Sequence, residues 1–286
     1  DVVREQFAKV VNVQLGLKEG VLRPWSTFGS VVCSSFFPNR YRASYRGRRT
    51  AFELWHMDDA LRRAIRFQLD HGDPVLPHRV LRAVTLQSRT PTVFRPTVAK
   101  WVYQTFCPPG GLVWDPCSGY GGRLMGAAAA GVRYIGTDVE PETVEGNMRL
   151  ADVLRASECS TVLCPAEDFD PPQGVDLVFT SPPYFDLERY STSDQQSWRR
   201  HPSYEEWVDG FLRVIIRKAW NVLPQGGKLV FNVADQRRRG LVIPIVQTTQ
   251  DVAVSEGFTF VSRVEMPIPT LNRSTDSEPI LVFVKT

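Results

Sequence analysis

Residues 175–184 read Val-Asp-Leu-Val-Phe-Thr-Ser-Pro-Pro-Tyr, and this stretch decides the fold. The mostly apolar run at its start is too short for a buried helix and predicts a buried strand. Two consecutive prolines remove two backbone N–H donors and fix φ twice, so the strand must end there and leave carbonyl oxygens free. The sequence therefore predicts a rigid, carbonyl-lined lip with an aromatic ring, that of Tyr184, beside it.

A glycine-rich turn lies upstream, where residues 112–122 read Leu-Val-Trp-Asp-Pro-Cys-Ser-Gly-Tyr-Gly-Gly. An apolar strand breaks here into a turn whose glycines, Gly119 and Gly121, let the backbone approach a nucleotide-like ligand closely. NAD enzymes use a similar turn, but their pattern places two variable residues and a glycine after the second glycine. Here Gly122-Arg123 follows instead. The turn and the Pro-Pro stretch together are more specific than either alone.

From residue 92 onward, helix-like and strand-like segments alternate, which predicts an α/β fold with a doubly wound, mostly parallel sheet. Ser203 and Glu206 have the spacing of a capping box and predict the start of a helix there. Two last strands, 258–266 and 279–284, are separated by a polar loop. They predict an antiparallel hairpin at the sheet edge.

Composition limits the class of protein. The formal net charge of +3 over 286 residues is too small to demonstrate a nucleic-acid partner. Five cysteines without Cys-x-x-Cys spacing argue against a metal site and for a reduced, intracellular protein, in the cytoplasm or nucleoid, or in the nucleus of a eukaryote. No apolar stretch reaches the roughly twenty residues of a membrane span. The first residue is Asp1, so we expect a piece of a longer protein.

Three motifs resemble those of S-adenosylmethionine-dependent methyltransferases that modify exocyclic amino groups of DNA bases. They are the turn at 115–122, the acid Asp138 after a predicted strand, and Thr-Ser-Pro-Pro-Tyr at 180–184. Serine before Pro-Pro-Tyr is similar to the N4-cytosine branch, whereas aspartate is more usual in N6-adenine enzymes and asparagine is shared with RNA and protein amide methylases. The resemblance covers about two thirds of the chain, residues 92–286.

The resemblance implies a Rossmann-like, seven-stranded catalytic domain at 91–286, with residues 1–90 as an N-terminal appendage for DNA contact or target recognition. It implies S-adenosylmethionine as cofactor and DNA as partner, with the target base flipped out of the duplex. Related enzymes usually carry their recognition region after the final hairpin, where this chain ends. Recognition would then come from residues 1–90, from the stretch 185–202, from a further domain or through a homodimer.

The resemblance also assigns cofactor contacts. Asp115 would lie near the methionine amino group, and Asp168 near the adenine amino group. Asp138 would accept the ribose hydroxyls, a task that Glu140 could share. Alternatives stay open, since Phe94 could be a core aromatic and Asp168 an exposed loop acid. The predicted cofactor-binding residues are Phe94, Arg95, Asp115, Pro116, Cys117, Ser118, Gly119, Gly121, Asp138, Val139, Asp168 and Ser181.

The predicted catalytic residues are Ser181, Pro182, Pro183 and Tyr184. An aromatic amine is a poor nucleophile, because its lone pair is delocalised into the ring. Acceptors such as the Ser181 hydroxyl and the Pro182 carbonyl would localise that lone pair and stabilise the positive charge that develops on nitrogen. Tyr184 would stack on the flipped base. A strong general base is not required, because the proton becomes acidic once the nitrogen is cationic.

An arginine-rich segment, residues 39–49, interleaves five arginines with two tyrosines. Guanidinium groups bind phosphate and tyrosines stack on bases, although a solvated loop has the same composition. Two further arginines follow the Pro-Pro stretch, in a segment that is either a lid or a plain loop. The predicted DNA-binding residues are Arg40, Arg42, Arg46, Arg48, Arg49, Arg199 and Arg200.

The favoured function is transfer of a methyl group from S-adenosylmethionine to cytosine N4 in DNA. N6-adenine methylation is the first alternative, followed by RNA or protein amide methylation and by a silent cofactor-binding module. Covalent cytosine C5 methylation is disfavoured, because Ser181 stands where a Pro-Cys pair would be needed. Cys117, in the glycine turn, is interpreted as a packing residue.

Overall fold

The computed structural model describes residues 2–238, 240–268 and 277–286. Its helices are α1 (Val2–Asn12), α2 (Ser30–Phe36), α3 (Ala51–Trp55), α4 (Asp58–Asp70), α5 (Pro77–Ser88), α6 (Pro96–Phe106), α7 (Gly122–Ala130), α8 (Pro141–Leu154), α9 (Ser197–Arg200), α10 (Tyr204–Trp207), α11 (Arg213–Val222) and α12 (Ile245–Ser255). A 3-10 helix spans Pro38–Arg42, and a π-helical segment, Val208–Leu212, joins α10 to α11.

The strands are β1 (Gly16–Lys18), β2 (Val21–Arg23), β3 (Ser44–Tyr45), β4 (Leu112–Asp115), β5 (Arg133–Asp138), β6 (Cys159–Leu163), β7 (Val175–Thr180), β8 (Glu188–Arg189), β9 (Lys228–Asn232), β10 (Gln236–Arg238), β11 (Leu241–Ile243), β12 (Phe258–Pro267) and β13 (Ser277–Lys285).

The main sheet has the strand order β1-β2-β12-β13-β9-β7-β4-β5-β6. Strands β9, β7, β4, β5 and β6 are parallel, and β13 is antiparallel to both of its neighbours. Chain order runs outward in both directions from β4, which makes β4 the topological switch point. The predicted α/β class and mostly parallel, Rossmann-like sheet are confirmed.

The C-terminal hairpin does not form the sheet edge that the sequence predicted. Strand β2 pairs with β12 through Val21 and Glu265, and β1 continues the sheet beyond it. The main sheet therefore has nine strands, the seven predicted ones and two from the N-terminal region. Each added strand is only three residues long, too short to produce a readable alternation of apolar and polar residues.

Strand β7 is buried on both faces. Leu177 and Phe179 belong to the core on one side of the sheet, together with Val113, whereas Val178 belongs to the core on the other side with Trp114. Successive side chains of a strand point to opposite faces. Helices cover both faces of such a sheet, which explains why the predicted strand was a continuous apolar run.

The N-terminal region has two parts that pack differently. Val10, Leu22 and Phe37 belong to the same core as Leu177 of the sheet. Residues 38–90, which we call the helical unit, have a small core of their own beneath α3, α4 and α5. Within the N-terminal region, the packing therefore changes near residue 38.

The helical unit is joined to the segment that follows the Pro-Pro stretch. Strand β3 pairs with β8 in an antiparallel two-stranded sheet, and the Arg46 amide donates to the Leu187 carbonyl over 2.8 Å. This pairing places the arginine-rich segment beside the end of β7. Among the helices of the described residues, none has the length and apolar character needed to cross a membrane.

Candidate active site

A cavity of about 780 Å³ opens at the carboxyl ends of the central strands. Its volume lies within the roughly 300–1,000 Å³ that is usual for small-molecule sites, and it lies at the switch point expected for an α/β sheet. Most of the predicted site residues line it, namely Phe94, Arg95, Pro116, Cys117, Ser118, Gly119, Asp138, Val139, Ser181, Pro182, Pro183 and Tyr184.

The glycine turn is shaped by close backbone approach. Gly119 and Gly121 have φ values of +56° and +74°, which favour glycine. At Gly122, a Cβ atom would lie 1.8 Å from the Phe94 carbonyl oxygen. The segment before α6 therefore runs directly over the start of α7, and the side chain of Phe94 lines the cavity. Its ring also packs edge-on against Phe179, 5.6 Å between centroids.

Asp115 is not among the residues that line the cavity, and its place near the methionine amino group stays a prediction. Its side chain is fully buried, and Oδ2 accepts hydrogen bonds from Arg123 Nε at 2.6 Å and from the Tyr134 hydroxyl at 2.7 Å. Arg123 also donates to the Cys117 carbonyl. The carboxylate is thus neutralised within the protein, where it fixes the glycine turn. The sequence signal for the Asp115–Arg123 ion pair is an arginine placed immediately after the glycine turn.

Asp138 ends β5 at the cavity wall. Its two oxygens accept the backbone amides of Gly119 and Glu140, each over 3.0 Å, so the acid fixes the turn and the next segment together. Burial raises the pKa of Asp138 to about 6. Glu140 also lines the cavity, so two carboxylates are available there to accept hydroxyl groups.

The acid after β6 that lines the cavity is Glu167 and not Asp168, which was the predicted one. The Glu167 side chain is 6% exposed, whereas that of Asp168 is 51% exposed. Both Asp168 oxygens accept hydrogen bonds from Arg200, at 2.7 and 3.0 Å, and these bonds lower the pKa of Asp168. The pattern of two adjacent acids could not show which one points inward.

Asn232, which was missed from the sequence, organises the catalytic end of the cavity. Thr180 and Phe231 are register partners, so the next residues, Ser181 and Asn232, are neighbours at the sheet edge. The Ser181 hydroxyl donates to Asn232 Oδ1 over 3.2 Å, and the Tyr184 hydroxyl lies 3.5 Å from the same oxygen. Because the serine proton is held by Asn232, the lone pairs of its oxygen remain available as acceptors.

Arg95 joins two walls of the cavity. Its Nη2 donates to the Pro267 carbonyl over 2.8 Å, and its guanidinium lies 5.9 Å from the centroid of the Trp25 ring. Burial lowers the pKa of Arg95 to about 10, a value at which it remains a cation at neutral pH. The C-terminal hairpin and the N-terminal segment are thus held against the same side of the cavity.

Residues 185–202 cross the cavity on the side of Glu140 and Glu167. Gln196 donates to Glu140 Oε2 over 3.3 Å, and His201 Nε2 lies 3.3 Å from Glu167 Oε1. Arg200 forms the bidentate pair with Asp168, so it is engaged within the protein, and its contact with DNA stays a prediction. Whether the segment is a lid or a plain loop stays open, as in the prediction from the sequence.

The remaining predicted DNA-binding arginines differ in their contacts with other residues of the protein. Arg40 lines the cavity and donates to the Pro91 carbonyl. Arg42 pairs with Glu142 and Arg199 with Asp194, in exposed contacts that contribute little. The last three are exposed and form no ion pair with any described residue: Arg46, Arg48 and Arg49.

Residues 175–286 match the model of a family described as DNA methylase. The match includes Ser181–Tyr184 and Asn232 and begins after the glycine turn. It leaves cytosine N4 and adenine N6 undistinguished. S-adenosylmethionine is the cofactor that the match supports, in agreement with the prediction from the sequence. No curated protein sequence matches the chain.

Similar solved structures include a methyltransferase from Pyrococcus furiosus, with 16% identity, a TM-score of 0.47, and coverage of 67% of this chain and 83% of that one. The N-methyltransferase NodS from Bradyrhizobium japonicum, in complex with S-adenosyl-L-homocysteine, has 15% identity, a TM-score of 0.43, and coverage of 67% and 85%. A geranyl diphosphate methyltransferase in complex with S-adenosylmethionine has 13% identity, a TM-score of 0.49, and coverage of 75% and 93%.

The donor and acceptor groups of the cavity fit S-adenosylmethionine. Asp138 and Glu140 can accept hydrogen bonds from its hydroxyl groups, and Glu167 can accept one from an amino group. A Cβ atom at Gly119 would meet nothing closer than 3.8 Å, so the turn leaves open space beside its backbone. When bound, the cofactor supplies an electrophilic methyl group. Nowhere in the described ranges are three or more His, Cys, Asp or Glu residues grouped to hold a metal ion.

Proposed function

We propose that the protein is a DNA methyltransferase that transfers the methyl group of S-adenosylmethionine to the N4 amine of cytosine. The observation that carries this proposal is the geometry of Ser181, whose hydroxyl proton is held by Asn232 so that its oxygen can accept an amine hydrogen. The match of residues 175–286 to the DNA methylase family supports DNA as the substrate.

The amine is activated by acceptors at the end of β7. Ser181 Oγ and the Pro182 carbonyl would each accept one amine hydrogen, and the lone pair of nitrogen would then be directed at the methyl group. Burial raises the pKa of Tyr184 well above its usual value, so its hydroxyl stays protonated and its ring is a neutral stacking surface. Holding two reactants in line supplies much of the rate.

The cofactor would occupy the part of the cavity between the glycine turn and Glu167. Asp138 holds the turn by accepting the Gly119 amide, so cofactor contacts and turn geometry depend on the same carboxylate. The stretch 185–202 would limit the access of water from this side, through its contacts with Glu140 and Glu167. A nucleobase would then enter from the other side, toward the helical unit.

The helical unit is the proposed DNA-binding surface. It carries eleven arginines against five acidic residues, an excess larger than the +3 of the whole chain. Arg40 and Arg82 line the cavity, so the basic surface reaches its mouth. Tyr45 has the guanidinium groups of Arg46 and Arg89 within 5.4 and 5.6 Å of its ring centroid. Such a surface suits a phosphate backbone next to an extruded base.

The test is product analysis with labelled cofactor. The protein is incubated with S-adenosylmethionine carrying a labelled methyl group and with duplexes that contain either cytosine or adenine in the methylatable strand. The DNA is then digested to nucleosides for mass spectrometry. We expect label in N4-methylcytosine. Label in N6-methyladenine would overturn the base assignment, and absence of label from every nucleoside would overturn DNA methylation itself.

A further inference from the structure

Glu278 is an acid at the catalytic end of the cavity that the proposed reaction has not used. It lies on β13, two residues before Ile280, which pairs with Asn232 of β9. Side chains two residues apart on a strand share a face. Glu278 therefore lies on the same side of the sheet as Asn232, beyond the end of β9, and it lines the cavity together with Ser181.

The surroundings of Glu278 are those of a reactive carboxyl group. Glu188 repels its negative charge, whereas Arg95, Asn232 and Tyr184 favour its charged form. Burial is the largest influence, and it raises the pKa of Glu278 to about 7. The group is therefore neutral in weak acid and anionic just above neutral pH, while Arg95 remains cationic across this range.

Other groups at the catalytic end are poorly suited to take up a proton. The Ser181 hydroxyl already donates to Asn232, whose amide is not basic. Tyr184 remains a neutral phenol, because burial raises its pKa. Glu188 is held by the Tyr190 hydroxyl, and Asp138 and Glu167 lie toward the glycine turn and the segment 185–202. Glu278 lies on the same face of the sheet as Asn232, which accepts the Ser181 proton, and it lines the same cavity.

Resting on the proposed function, we infer that Glu278 is a catalytic residue that accepts the proton released by the target amine. The nitrogen lone pair forms the new N–CH₃ bond, and the S–CH₃ bond breaks with its electron pair remaining on sulfur. One N–H then turns from its acceptor at the end of β7 toward Glu278, the N–H bond breaks with its electron pair staying on nitrogen, and the proton moves to the Glu278 carboxylate. Solvent removes that proton before the next turnover.

The experiment compares Glu278→Gln, Glu278→Asp and a matched control, Glu158→Gln, an exposed acid outside the cavity. Initial rates of methylation are measured across neutral pH with saturating cofactor and limiting DNA. In wild-type protein, the rate should fall as pH drops below about 7, because Glu278 becomes protonated. Glu278→Gln should be slower by about 100-fold above neutral pH and should lose this acid limb.

Glu278→Asp should keep the acid limb at a reduced rate, and Glu158→Gln should match wild type. A Glu278→Gln variant with the wild-type rate and pH profile would overturn the inference, while methylation by wild-type protein would leave the proposed function intact. Thermal melting is recorded for each variant. If Glu278→Gln fails to fold, Glu278→Asp decides the matter, since an unchanged rate and profile in that variant would also count against the inference.

Discussion

In the proposed reaction the Ser181 hydroxyl oxygen accepts an amine hydrogen, so removal of this hydroxyl should affect methyl transfer specifically. Ser181→Ala should slow methyl transfer by about 100-fold, as for loss of one contact that stabilises developing charge, and should change cofactor affinity far less, because Asp138, Glu140 and Glu167 remain. Single-turnover methylation and calorimetric cofactor binding measure the two effects. Ser160→Ala, at an exposed position on β6, is the control. Equal turnover by Ser181→Ala and the control would contradict the role given to the hydroxyl.

Asp138 couples cofactor binding to pH. Its raised pKa of about 6 means that the carboxylate becomes protonated as pH falls through that value and then loses acceptor strength toward hydroxyls. Affinity for S-adenosylmethionine should therefore weaken below about pH 6, approaching tenfold per pH unit. Calorimetry without DNA measures it. Asp138→Asn should bind more weakly and show no such dependence, and a variant that keeps the wild-type pH profile would refute the assignment.

At the residue scale, the sequence located the site better than it assigned individual contacts. Residues that end strands or form the turn could be found, because strand ends of a parallel sheet meet at one edge. Partners from distant segments could not, since Asn232 reaches Ser181 only through the pairing of β9 with β7. The hydrogen bonds of Asp115 to Tyr134 and Arg123 could not be predicted for the same reason.

The glycine turn and the segment before α6 behave as one structural element. A methyl group at Gly122 would overlap the Phe94 carbonyl at 1.8 Å and force the two apart. Gly122→Ala should destabilise the protein by about 3 kcal/mol, at the upper end for overpacking, and should weaken cofactor binding. Thermal melting and calorimetry check both effects. Gly16→Ala, with no neighbour within 4 Å, is the matched control and should change neither.

Element boundaries were predictable where local chemistry marks them. Helix α8 begins at a proline, and the capping box at Ser203 and Glu206 is formed with both hydrogen bonds, 3.1 and 2.9 Å. Residues 51–70 form two helices, α3 and α4, that meet near Met57, where the sequence carries no proline or glycine to mark the break. Helix α12 was not predicted. The apolar face that defines a helix is set by what it packs against, which the sequence does not contain.

At the scale of the whole molecule, charge and catalytic machinery are separated. Residues 38–90 contain eleven arginines and five acidic residues, an excess of six positive charges. Because the net charge of the whole chain is only +3, the rest of the chain has a net negative charge. The cavity itself is rich in acids, among them Asp138, Glu140, Glu188 and Glu278. DNA would be attracted to the helical unit and repelled elsewhere, which orients it at the cavity mouth.

This separation of charge predicts that the salt dependence of DNA binding comes from the helical unit alone. Replacing Arg46, Arg48 and Arg49 together by glutamine should weaken DNA binding at low salt and reduce the slope of log affinity against log salt by about one for each lost phosphate contact. Fluorescence anisotropy with labelled duplexes, from about 50 to about 200 mM salt, measures both. The matched control replaces Lys9, Lys18 and Lys228, outside the helical unit, by glutamine. Both variants remove three positive charges. If the control lost as much of the slope of log affinity against log salt, DNA binding would depend on net charge and not on the helical unit.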